Sequence, residues 1–126
     1  MRSKSRMIPI YTSRGDAEAY LIFPYLYNNQ GEWIGWISSE HKVYSVHGHY
    51  VGWITRDHRI LRKLGDGYSE DRINITQPKE RFIVLPASVP LAPLMAELTF
   101  GIIDVLLDAP DIMPPLDFGE LRDDMD

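Results

Sequence analysis

The 126-residue chain contains no cysteine. That absence excludes a disulfide framework, a zinc–thiolate site and a thiol nucleophile, and it fits a reducing, cytoplasmic setting. Long apolar runs are missing too. The most hydrophobic stretch, 91–107, is interrupted by Pro93, Glu97 and Asp104, and falls short of the roughly 18 uncharged residues of a spanning helix. The basic start, Arg2, Lys4 and Arg6, is followed by too short an apolar run at Met7-Ile8-Pro9-Ile10 for a signal peptide, so secretion is not expected. Basic residues are scarce where acids are dense. Residues 97–126 carry nine acidic side chains against Arg122 alone, whereas residues 7–96 carry nine of each sign. Arg56, Arg59, Arg62 and Lys63 are the one basic cluster, expected as a solvated strand face or a partner for the acidic tail. This leaves no electrostatic footprint for nucleic acid.

Catalytic signatures are equally thin. No phosphate loop or dinucleotide fingerprint is present, because Gly65-Asp66-Gly67 lacks the further glycine and helix that those need. No G-x-S-x-G nucleophile elbow occurs. His47-Gly48-His49 has no third ligand at a defined spacing, so it is expected as a surface turn. No catalytic residue, metal or cofactor is assigned.

What the chain does have is a repeat. Gly31-Glu32-Trp33-Ile34-Gly35-Trp36-Ile37 returns as Gly48-His49-Tyr50-Val51-Gly52-Trp53-Ile54, and Gly15, Gly31, Gly48 and Gly65 are spaced 16, 17 and 17 residues apart. Aligned on these glycines, one column reads Tyr20, Trp36, Trp53 and the next Leu21, Ile37, Ile54. The period is too short for a helix pair, and aromatic or β-branched runs between polar turns are strand signals. Each unit is expected as two strands of an antiparallel meander, with repeats at 15–30, 31–47 and 48–64. Alternation would place Ile34 and Trp36 on one face and Trp33, Gly35 and Ile37 on the other. Both faces are apolar, so the sheet should close on itself, surround an axis or be covered by the C-terminal segment. Tyr20, Trp36 and Trp53 are expected in the closed core, and Gly35 and Gly52 to leave room for a neighbouring ring.

The recurring G-x-x-[V/I]-G-W-I unit, followed by V-Y-x-x-x-G, resembles the four-fold β-flower domains, small bacterial proteins in which hairpins surround a pseudo-four-fold axis. The resemblance covers Gly15 to about Gly67. It implies a fourth unit, and no clean copy follows Gly67. Met7–Tyr11 paired with Arg81–Leu85 is the expected substitute. The family implies no settled activity.

The fold class expected is mainly β, with antiparallel hairpin repeats, a C-terminal helix and an acidic tail. The chain divides into a basic leader (1–6), a β-repeat domain (7–89), a helical segment (90–108) and a Pro-containing acidic tail (109–126) expected to be extended or disordered. Ile73 and Ile75 are read as a short edge strand. The segment 91–107 is apolar over most of a helical circumference, and either plugs the sheet or forms a subunit interface through Leu94, Leu98, Ile102, Val105 and Leu106. Two functions follow. One is a non-enzymatic interaction or scaffold module that self-associates or docks a protein partner. The other is a small-ligand or metal-binding protein using a central cavity or the turn rim with His41, His58 and Asp57, where the two histidines hold equivalent repeat positions. Trp33 and Tyr50 are candidates for an aromatic contact surface.

Overall fold

The computed structural model describes residues 6–65 and 72–116. The chain is mainly β. Eight strands follow one another in chain order within a single antiparallel sheet: β1 (Met7–Tyr11), β2 (Ala17–Ile22), β3 (Tyr25–Asn28), β4 (Trp33–Ile37), β5 (Lys42–Ser45), β6 (Tyr50–Ile54), β7 (Ile60–Lys63) and β8 (Ile102–Asp104). A single-turn helix, α1 (Val105–Asp108), and a 3₁₀ turn (Pro110–Ile112) follow.

The pairs β1–β2, β3–β4, β5–β6 and β7–β8 form four units around one core. Ile10, Leu26, Val43 and Ile60 hold the same place in the first strand of each unit, and all four are 0% exposed. Burying a side chain of this size stabilises the fold by about 2 kcal/mol, so this layer is a substantial part of its apolar contribution. The core is aliphatic. Trp36 and Trp53 do not belong to it: both are half-buried, and Trp36 stacks on Tyr44 with ring centroids 4.6 Å apart.

The first three units share a bulge that simple alternation misses. Ile10 faces Ala19 but Tyr11 faces Ala17; Leu26 faces Gly35 but Tyr27 faces Trp33; Val43 faces Gly52 but Tyr44 faces Tyr50. The extra residue is Glu18, Ile34 or Val51, one repeat column throughout. The skipped residue resets the facing, so Ile34 and Ile37 both enter the central core, while Trp33 packs with Tyr27 and Val46 in a second cluster.

The fourth unit is not the one expected. β1 pairs with β2, and Arg81–Leu85 contributes an isolated bridge between Phe82 and Glu32. β7 finds its partner in β8, after a long excursion, in the register Leu61 with Asp104, Arg62 with Ile103 and Lys63 with Ile102. The expected helix over 91–107 therefore shrinks to its last turn. Pro90 and Pro93 lack the N–H groups a helix needs, Gly101 has a positive φ of 87°, and Ile102–Asp104 take ladder bonds to β7 instead. Val105 and Met113 are buried in the central core with Leu106 and Ile112 against it, so this end of the segment acts as a plug. Val105 is unavailable to any subunit interface.

The described part of the excursion, residues 72–101, wraps the sheet as a belt without regular secondary structure. Ile73 N donates to the Gly48 carbonyl (3.1 Å) of the third unit. Tyr25 and Tyr27 hydroxyls donate to the Thr76 and Glu80 carbonyls, and Ile83 N to the Gly31 carbonyl (2.8 Å), at the second. The Tyr11 hydroxyl donates to the Pro90 carbonyl (2.7 Å) at the first. Finally Arg59 Nη2 donates to the Ala96 carbonyl (3.0 Å) and Leu64 N to that of Gly101 (2.7 Å) at the fourth. The belt thus visits the units in the order three, two, one, four, and Ile75 and Ile83 cover the Trp33 cluster. Ile73 and Ile75 form no edge strand. Gly31 and Gly48 have φ of 81° and 87°, and a Cβ on either would strike the Ile83 or Ile73 carbonyl. Gly35 and Gly52 face backbone rather than an aromatic ring: the carbonyls of Tyr44 and Leu61 occupy the space a Cβ would need. The leader through residue 5, residues 66–71 and the acidic tail from 117 lie outside the described residues.

Candidate functional site

The turns joining one unit to the next are built alike. Ser38 N donates to the Lys42 carbonyl and His41 N to that of Ser38, while Thr55 N donates to the Arg59 carbonyl and His58 N to that of Thr55. The opening hydroxyl reinforces each turn: Ser38 Oγ accepts from Glu40 N and Lys42 N, and Thr55 Oγ1 from Arg59 N. His41 and His58 then adopt φ of 68° and 63°, a left-handed conformation that glycine holds at less cost. The corresponding positions of the turns within units hold Gly15, Gly31 and Gly48. Imidazoles stand where the backbone alone would favour glycine. The remaining inter-unit connection, between β2 and β3, is Phe23-Pro24, which explains why the first repeat offers no third histidine.

These turns rim an open cavity of about 730 Å³ at one end of the core. Its wall is aliphatic, from Ile8, Leu21, Ile37 and Ile54 over the buried Ile10, with Phe23 at the edge. Its rim is polar, from Ser38, Ser39, His41, Thr55, Arg56 and His58. The cavity brings His41 and His58 together with the Leu21, Ile37, Ile54 repeat column. The apolar wall and Arg56 are absent from the sequence-based candidates; the repeated aliphatic column was the signal for the wall.

Asp57 does not face this cavity. Its carboxylate is spanned by Arg59, with Nη2 at 2.7 Å from Oδ2 and Nε at 3.1 Å from Oδ1, and it also accepts from the Thr55 hydroxyl. Burial alone would raise its pKa, but the hydrogen bonds from Arg59 and Thr55 and the guanidinium charge outweigh that and hold it below the usual aspartate value. Arg59, only 4% exposed, also donates to Ser13 Oγ (2.9 Å), which in turn donates to Asp104 Oδ2 (2.8 Å). The expected basic cluster is thereby divided: Arg59 is interior, Arg62 donates to the Val51 carbonyl (2.9 Å), and Arg56 alone joins the rim.

The other candidates lie elsewhere. Trp33 is 2% exposed and its indole N–H donates to the Gly35 carbonyl (2.8 Å), so it is no contact surface; Tyr50 is half-buried, edge-on to Tyr44. Among the interface candidates Leu94 is 100% exposed, Leu98 and Leu106 are half-buried and Ile102 lies in β8. Among the described residues no group of three or more His, Asp or Glu side chains is placed to hold a metal, and no helix is long and apolar enough to cross a membrane.

Comparison with known proteins adds one finding. A family model described as "4-fold beta flower protein" matches residues 8–88. No curated protein and no solved structure matches the chain.

Proposed function

The chain belongs to the 4-fold beta flower protein family, and from that premise we propose that it is a non-enzymatic binding module whose axial cavity receives a small, largely apolar ligand. The observation that carries this reading is the cavity itself: about 730 Å³, aliphatic within and polar at its mouth. Ligand sites combine these features, with apolar walls giving affinity and a few polar groups fixing orientation. Two histidines held at positive φ on the rim support the same reading, since backbone strain accumulates where a side chain is needed for function. Binding rather than turnover is favoured because the carboxylate expected at the rim, Asp57, is locked to Arg59, and neither Ser38 nor Ser39 is hydrogen-bonded to an imidazole among the described residues. The test uses Nile red, an uncharged apolar dye. Its fluorescence should rise and saturate at about one dye per chain, and Ser39→Trp, at an exposed rim position, should block it. Absent saturation, or saturation unchanged in the variant, rejects the reading.

A second reading, self-association, rests on a separate observation. The belt turns Phe82, Val84, Leu91, Leu94 and Phe100 outward at 70–105% exposure, five large apolar side chains within 19 residues of chain. The partner proposed for it is a second copy of the chain. Sedimentation should show a dimer that the double variant Leu94→Ser with Phe100→Ser dissociates; a wild-type monomer across all concentrations excludes it.

A further inference from the structure

The charges around the axial cavity are unevenly resolved. Of the residues in the two rim turns, Glu40 pairs with Lys42 at 3.6 Å and Asp57 with Arg59 at 2.7 Å. Both carboxylates are therefore matched by a cation on their own turn, and neither lines the cavity. Arg56 does line it, and no described acidic residue pairs with it. One permanent positive charge is left at the mouth of an aliphatic chamber.

Hydrogen-bonding capacity at the mouth points the same way. Ser38 Oγ accepts two backbone N–H bonds, which leaves its own proton to donate. Ser39 adds a second hydroxyl, and each imidazole can offer a ring N–H. The cavity lining is rich in donors and carries no carboxylate, and the carboxylates of the rim turns are taken up by Lys42 and Arg59, so a cationic guest would meet Arg56 without an unpaired acid beside it. A multiply charged anion would find only one guanidinium. A single carboxylate matches the fork of Arg56 and the adjoining hydroxyls, with its apolar remainder against Ile37 and Ile54.

We propose that the axial cavity is a site for a small apolar monoanion, namely a monocarboxylate with an aliphatic chain, with Arg56 as the anion-recognising residue. The assignment rests on the ligand-cavity reading and narrows it to one chemical class.

The experiment compares three molecules that share a ten-carbon chain and differ in head group: decanoate, 1-decanol and decyltrimethylammonium. Each is titrated into the methyl-labelled full chain below the concentration at which it self-associates, and the Ile37 and Ile54 methyl resonances are followed. Decanoate should shift these methyls and bind about tenfold or more tightly than 1-decanol, the scale of a charged hydrogen bond, with the ammonium weakest. Arg56→Gln, at an exposed position, should remove the advantage of decanoate and leave 1-decanol unchanged, at an unaltered melting temperature. Equal binding of all three, or an advantage that survives in Arg56→Gln, overturns the anion assignment while leaving the cavity reading intact. If none of the three moves the Ile37 and Ile54 methyls, both readings are overturned.

Discussion

The Tyr11 backbone N–H donates to the His58 carbonyl at 2.7 Å, and this bond is the stitch that closes the ring of units. In the second and third units the equivalent bond is internal: Ile37 donates to the Pro24 carbonyl and Ile54 to the His41 carbonyl. In the fourth unit β8 gives way to α1 at Val105, and the end of β1 supplies the donor instead. Ser13 adds two bonds across the same seam, from its N (2.6 Å) and Oγ (2.8 Å) to Asp104 Oδ2. A sheet whose first and last strands lie far apart in sequence is thereby joined without a strand-to-strand ladder at the seam.

The seam makes β1 as integral as any repeat strand. Ile10 and Ile60 occupy one core layer at equal burial, so Ile10→Ala and Ile60→Ala should each cost about 3 kcal/mol. Urea denaturation measures both. A loss at Ile10 below a third of that at Ile60 would mean that β1 is an appended strand.

Much of this was legible in the sequence, but in the wrong phase. Units counted from each glycine forward give three copies. Counted toward each glycine they give four: Ile10-Tyr11-Thr12, Leu26-Tyr27-Asn28, Val43-Tyr44-Ser45 and Ile60-Leu61-Arg62, each three residues before its glycine. That half-repeat is the buried first strand of every unit, and it would have assigned β1 and β7 correctly. β8 was not readable, because the belt separates it from β7 and its three residues sit inside a helix-like apolar run. The bulges were invisible too, since Ile34 and Val51 keep an apolar pattern whichever face they take. The histidine rim was found by register alone. Its left-handed backbone is set within each turn, whereas the cavity it borders arises only when strands of the first three units converge.

Gly52 measures how tightly the units abut. Its Cα lies against the Leu61 carbonyl of the next unit's first strand, with no room for a Cβ. The obstacle is backbone in a ladder, which cannot rotate away as a side chain can. Gly52→Val should destabilise by about 3 kcal/mol or more, the range of severe overpacking, and thermal melting unchanged from wild type would show that the strands separate freely.

At His58 the backbone and the side chain make opposing demands. Its φ of 63° favours glycine, so His58→Gly should match or exceed wild type in stability, while His58→Ala, which keeps a Cβ without the ring, should fall about 1 kcal/mol below the glycine variant. Chemical denaturation of the three proteins separates the cases. Alanine and glycine variants of equal stability would mean that the strain is absorbed elsewhere, and the rim histidines would lose their backbone argument for function.

The Asp57–Arg59 pair sets the acid limit of the rim turn. The folded-state pKa of Asp57 is lowered, so the native state binds its proton less readily than the unfolded chain. Stability from this group is full above the unfolded aspartate pKa and drains away as pH falls through the folded value. Asp57→Asn removes the charge and leaves Arg59 without its carboxylate, although Ser13 Oγ and the Ala96 carbonyl still accept from it. At neutral pH the variant should be about 1–3 kcal/mol less stable, the worth of a buried charged hydrogen bond. The gap should narrow steadily in acid, because wild-type Asp57 becomes neutral as well. Melting temperatures of both proteins, followed from neutral pH into acid, read this directly. A gap that stays constant would place the cost of the substitution in packing rather than in the carboxylate charge.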